Sequence, residues 1–277
     1  MRYWAPACIS SRNTGRNLRA RRRPRRFEIR RRERLEWAEE KGHTDIPLCG
    51  TKLARRAKYY RILLDIETQH DFFAPGGSCY RAAASDCADN IYRLFRWARV
   101  NRVPVISTVL RLKRLEPGGL ANVPYCIEGT EGEQKLLRTV MPSRVNLGLR
   151  NITDLPVNIF QRHQQAIFEK RHTDIFLHAA AERLISEIGS ATFVICGAGV
   201  ARGIVEAAIG LRNRGFGVIL ATDAVLDLGD PREDMAYRRM QAKGVVFAPT
   251  HKIIQPVPRT CSTLPRWLKE AIKARAS

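Results

Sequence analysis

The feature that most restricts the fold is an alternation that begins near Tyr60 and continues to about residue 250. Short apolar runs recur: RILLDIE (61–67), RVPVIST (102–108), AIFEK (166–170), TFVIC (192–196), GVILAT (217–222) and GVVFAP (244–249). Each reads as a strand, being short and rich in β-branched residues. Helical spacing fills several of the intervals. The segment Ala84–Arg99 carries Ile91, Leu94, Phe95 and Ala98 on one face, and 203–214 forms another helix. DIFLHAAAERLISEIG (174–189) predicts a helix with Asp174 as N-cap and Gly189 after its end. Strands that are apolar on both faces need cover on both faces, which a mostly parallel sheet between two helical layers provides. The expected fold is therefore α/β: three-layer, doubly wound and Rossmann-like, with six strands. In such sheets ligands sit beyond the carboxyl ends of the strands, near a topological switch point. Glu67, Lys170 and the turn 197–203 each fall just past a strand end, which predicts one shared edge, covered by the irregular segment 109–160.

The charge is unevenly distributed. Of a net +21, the first 58 residues supply 18 Lys/Arg against 6 Asp/Glu, and up to Arg34 there are thirteen Arg and no Lys. Runs such as RRRPRRFEIRRRER leave too few apolar residues for a core, so residues 1–57 read as a disordered basic extension. Three roles stay open for it: an arm for nucleic acid or anionic membrane, an organellar transit peptide, or a plain solvated tail. The globular domain is expected over 58–255, followed by a tail with a short helix over 256–277. No apolar stretch approaches the roughly 18 residues of a membrane span. Seven scattered cysteines without a CxxC pair fit a reducing compartment, with cytoplasm as the expectation.

The stretch VICGAGVARGIVEAA (194–208) runs from a strand through a glycine-rich turn into a helix. One reading is a dinucleotide site, with Asp223 twenty residues after Gly203 as the ribose partner. The spacing G-x-G-x-x-x-G and the single βαβαβ unit left at this point in the chain argue against it.

Four segments taken together carry a different reading. ETQHDFFAPGG (67–77), CIEGTEGEQ (126–134), FEKRHTDIF (168–176) and ICGAGVARGIVEAAIGLRNRGFGVILATDA (195–224) resemble, in order, the isochorismatase-like cysteine hydrolase superfamily, over about residues 60–255. The resemblance implies a catalytic acid, a lysine and a cysteine. The acid falls on Glu67, in Glu67-Thr68-Gln69-His70-Asp71-Phe72 where the family has an aspartate. Asp65 is the weaker candidate. The lysine falls on Lys170. The nucleophile position falls on Gly203, so the turn keeps the form of an oxyanion-stabilising cradle without the thiolate that attacks a carbonyl.

Two functions follow. One is a hydrolase that acts on a small carboxylate- or carbonyl-bearing molecule with Glu67, Lys170 and water, as in family members that carry glycine at this position. The other is a catalytically silent member that binds a small molecule or a partner. The resemblance further implies substrate contacts at Phe72, Val200 and Arg202, with Phe73 and Tyr125 as further lining. Arg202 reads equally as a carboxylate anchor or a surface charge. Cys79, Cys126 and Cys196 do not stand at the nucleophile position. The family's metal motif is missing after the second strand, where the chain reads TVLRLKRL, and Glu67-x-x-His70 alone is no metal site, so neither metal nor cofactor is expected. The expected partners are a small-molecule substrate and further copies of the chain, with nucleic acid only through the basic extension. The absent cysteine side chain is expected to leave an opening onto Glu67 and Lys170.

Overall fold

The computed structural model describes residues 57–114 and 125–255. The basic extension before them and the tail after residue 255 lie outside the described residues. Seven strands form one sheet: β1 Ala57–Ile66, β2 Val105–Leu110, β3 Arg144–Asn146, β4 Gln165–Lys170, β5 Ile188–Ala198, β6 Gly217–Leu226 and β7 Val246–Ala248. Their order is β3-β4-β2-β1-β5-β6-β7, and every pair is parallel. The expected count of six is corrected by β3. Its three residues, Arg144-Val145-Asn146, are exposed, half-buried and exposed on the sheet edge, so no apolar run announces it.

The two faces of β1 show how the sequence builds the layers. Ile62, Leu64 and Ile66 point to one side, where helices α4 (Ala179–Glu187), α5 (Val205–Asn213) and α6 (Glu233–Ala242) pack. Leu63 points to the other, against α2 (Ala84–Val100) and the short α7 (Thr250–Ile253). The single turns α1 (His70–Phe73) and α3 (Ile159–Arg162) complete the α-helices among the described residues. Burying each of these β1 side chains contributes about 1.5–3 kcal/mol, which makes the period-two pattern decisive for which side faces which helix.

The helix expected over 174–189 is divided. Asp174 caps a single 3₁₀ turn, Ile175–Leu177, by accepting from the Phe176 N–H at 2.9 Å, and α4 starts only at Ala179. Gly189 lies inside β5 and ends no helix, because Ile188 already has extended backbone and pairs with β1.

From β1 the chain adds β2 and β4 on one flank, and β5 to β7 build the other. The switch point therefore lies between β1 and β5. Their carboxyl ends touch closely: a Cβ on Gly197 would lie 1.8 Å from the Ile66 carbonyl oxygen, so only glycine fits there, at φ +125°.

Candidate functional site

Glu67 follows the last residue of β1 and adopts φ +53°, a left-handed conformation that costs a non-glycine residue on the order of 1 kcal/mol. Its N–H is held by Thr108 of β2, through the carbonyl at 3.2 Å and Oγ1 at 3.3 Å. The bend turns the carboxylate away from the strand direction and into the corner between β4 and the turn after β5. There Lys170, the last residue of β4, donates from Nζ to Glu67 Oε1. The same ammonium donates to the carbonyls of His172 (2.9 Å) and Thr173 (2.8 Å), so all three of its protons are used. Both side chains are buried, at 4% and 3% exposure.

The motif residues after Glu67 brace this corner. Gln69 donates to the carbonyls of Leu110 and Glu133 and accepts from the Leu110 N–H, all within 2.8 Å. Asp71 accepts from the N–H groups of Ser78 (3.0 Å) and Cys126 (2.6 Å). His70 pairs with Glu131 at 3.5 Å on the surface. Among the described residues, no three His, Cys, Asp or Glu side chains gather as a metal-ligand set.

The glycine turn lies against the same corner. Gly199 sits at φ +81°, residues 200–204 form one wide turn broken at Arg202, and α5 continues from Val205. A Cβ on Gly203 would meet Ile66 Cγ2 at 3.1 Å, and Glu67 Oε1 and the Thr173 carbonyl at 3.2 Å. These are tighter than ordinary van der Waals contacts. The room expected beside Gly203 is therefore narrow even for a Cβ, with Ile66, Glu67 and Thr173 as its walls.

The remaining candidates divide. Phe72 and Val200 have no exposed surface and belong to the two apolar cores on opposite sides of the sheet. Tyr125, 5% exposed, tilts against Phe72 with ring centroids 5.0 Å apart, and its hydroxyl accepts from Arg202. Arg202 is half-buried and also approaches Asp230 at 3.5 Å, so it ties the turn to the 230 loop as well as to Tyr125. Phe73 is buried beside Phe72 in the α2 core. Asp223 is not placed as a ribose partner: its carboxylate accepts from the N–H and the hydroxyl of Thr250, both at 2.7 Å.

Burial is the main influence on Glu67 and pushes its pKa up. Lys170 opposes that through charge and hydrogen bond, nearby Glu206 adds to the rise, and Arg202 lowers it. The thiols are pushed up by the same desolvation: Cys87 to about 12, and Cys126 and Cys196 well above the ordinary range. Sequence reasoning missed two contributors. The carbonyls of His172 and Thr173 anchor Lys170, but backbone groups carry no sequence signal. Lys135, next after the CIEGTEGEQ segment, donates to the buried Asp65.

A parallel α/β sheet with an acid and a lysine meeting a glycine turn at its switch point defines the class as isochorismatase-like. The isochorismatase-domain family model matches residues 61–252, and the chain belongs to that family. Solved structures share the fold. A nicotinamidase/pyrazinamidase from Bacillus subtilis is 19% identical over 69% of this chain and 100% of its own, with a TM-score of 0.53. An N-carbamoylsarcosine amidase from Thermoplasma acidophilum is 13% identical over 69% of this chain and 97% of its own, at 0.52. A ribonuclease from Caenorhabditis elegans is 16% identical over 81% of this chain and 93% of its own, at 0.50. No curated protein matches the chain by sequence.

Proposed function

We propose that this isochorismatase-family chain has lost covalent amide hydrolysis and acts by binding a small molecule or a partner. One observation carries the reading: position 203 is glycine, and Ile66, the Lys170-bound Glu67 carboxylate and the Thr173 carbonyl crowd the place where its side chain would start. A covalent route needs a thiolate facing a carbonyl beside the turn, and glycine supplies none. Cys126 and Cys196 are buried with raised pKa values, and both therefore lack thiolate character.

A second reading is favoured by the raised pKa of Glu67. A protonated carboxyl is what a general acid needs. In this reading Glu67 donates its proton to a small carboxylate- or carbonyl-bearing substrate while Lys170 holds it in position. The proton goes to the alkene carbon of a vinyl-ether group on that substrate, and water adds to the resulting oxocarbenium carbon. The hemiketal collapses by C–O cleavage to a carbonyl product and an alcohol, with one proton returned to Glu67. The corner must open to admit substrate and water.

The test is a turnover screen of the full chain against nicotinamide, N-carbamoylsarcosine, isochorismate and single-stranded RNA, with Glu67→Ala beside it. The silent reading expects no turnover of any of them. Hydrolysis of isochorismate that disappears in Glu67→Ala would overturn it in favour of the acid reading. Hydrolysis of an amide blocked by iodoacetamide would overturn both.

A further inference from the structure

A groove of about 850 Å³ runs between α2 and the segment 137–142, and none of its walls belongs to the Glu67 corner. Its volume lies toward the upper end of the range for ligand sites, roughly 300–1,000 Å³. Arg93, Arg96 and Arg99 line it from α2 and Arg138 from the opposite segment, all four exposed. The three-residue spacing puts the α2 arginines on one helix face, about 4.5 Å apart along the axis. Two acids share the groove, Asp86 and Asp89. Asp89 meets Arg138 only at 3.9 Å, both side chains being mostly exposed. Arg93 reaches Asn90 at 3.4 Å, and among the described residues Arg96 and Arg99 have no acidic partner. The groove is left with a cationic surplus.

The α2 dipole favours basic residues in the last turn of that helix, which accounts for Arg99. It does not account for the wall across from α2. There the Arg138 guanidinium stacks over the Tyr92 ring at 3.8 Å, and Leu137 is 85% exposed beside it. A stacking platform and an apolar side chain next to a row of arginines suit a ligand that has both flat faces and phosphates. A duplex hides its base faces, whereas a single strand presents them.

We infer that this groove binds single-stranded nucleic acid, with phosphates on Arg93, Arg96 and Arg99 and a base against Leu137 and the Tyr92–Arg138 stack. The inference is independent of whether the Glu67 corner turns over a substrate, and it places binding on the folded domain as well as on any basic arm.

The experiment measures binding of a labelled 20-nucleotide oligouridylate to the full chain by fluorescence anisotropy across a salt series. The expected result is that Arg93→Ala/Arg96→Ala/Arg99→Ala weakens binding by about tenfold or more. Its slope of log K against log salt should fall by about 2, since each lost single-strand phosphate contact removes roughly 0.7. Leu137→Ala should weaken binding a few-fold with the slope unchanged, because it removes a base contact and no charge. Melting temperature should stay level in both variants, whose altered residues are exposed. A 4-thiouridine oligonucleotide should cross-link the unmodified chain at peptides holding Tyr92 or Leu137. Affinity and slope that match the parent chain in the triple variant would overturn the proposal and assign binding elsewhere. Binding of a duplex as tightly as the single strand would overturn it, as would binding of phosphatidylserine vesicles that the triple variant loses.

Discussion

Strand β1 delivers two buried carboxylates two residues apart, Asp65 and Glu67, and each has its own lysine. Asp65 lies within the strand and faces the α2 side. Its Oδ2 accepts from Lys135 and, at 2.7 Å, from Ser107, while Oδ1 has no hydrogen-bond partner among the described residues. Lys135 also donates to Thr68 at 2.6 Å and lies 5.9 Å from the Phe95 ring. Glu67 lies just past the strand end, bent by its positive φ into the corner where Lys170 is held by two backbone carbonyls. Both pairs follow the rule that a buried charge needs a partner. The difference is position: Asp65 braces the interior of the sheet, whereas Glu67 occupies the edge where ligands bind in this class of fold.

The largest expected effect tests the two pairs against each other. Lys170→Met leaves the Glu67 carboxylate buried without its cation and should cost about 3–5 kcal/mol, read from urea denaturation. Lys135→Met should cost less, because Ser107 still donates to Asp65 and Lys135 is the more exposed lysine. The reverse ranking would break the comparison, and a Lys170→Met cost under about 1 kcal/mol would mean that Glu67 is already protonated.

Next in size is the exchange of volume between positions 67 and 203. Gly203→Cys inserts a side chain against Ile66, Glu67 and Thr173 and should cost about 1–3 kcal/mol. Shortening the acid in the double variant Glu67→Asp/Gly203→Cys should recover part of that loss. A coupling energy of about 1 kcal/mol in the double-mutant cycle is expected, and strict additivity would show that the two positions do not share space.

The smallest effect is on pH dependence. The folded-state pKa of Glu67 is raised above 4.5, so the folded chain binds this proton more tightly than the unfolded chain does. The unfolded state then carries fewer protons than the native one, and this carboxyl's contribution to stability falls as pH climbs from 4.5 through the raised value. Melting temperatures of Glu67→Gln should lack that downward component, and curves that stay parallel from about pH 4 to pH 7 would contradict it.

The sheet was legible because its strands are apolar on both faces, as Ile62, Leu63 and Leu64 are. The edge strand Arg144–Asn146 was not, since an edge that pairs only through its backbone needs no apolar run. Glu67, Lys170 and Gly203 were legible as positions because each stands at a strand end or turn within a motif. The state of the corner was not. An opening followed from the missing side chain at 203, whereas in the structure Ile66, Glu67 and Thr173 stand 3.1–3.2 Å from where a Cβ on Gly203 would lie.

By itself the sequence determined the parallel sheet, the edge at which its acid, lysine and glycine turn meet, and the lack of a thiol at that turn. These follow from periodicity and residue type, which are local quantities. Only the tertiary structure decided that Lys135 serves Asp65, that carbonyls of the 172–173 turn saturate Lys170, and that α2 and the 137–142 segment enclose an arginine-lined groove. Each of these joins atoms far apart in the chain or uses backbone groups that every residue carries, so it becomes visible only when close packing has set which groups share a space.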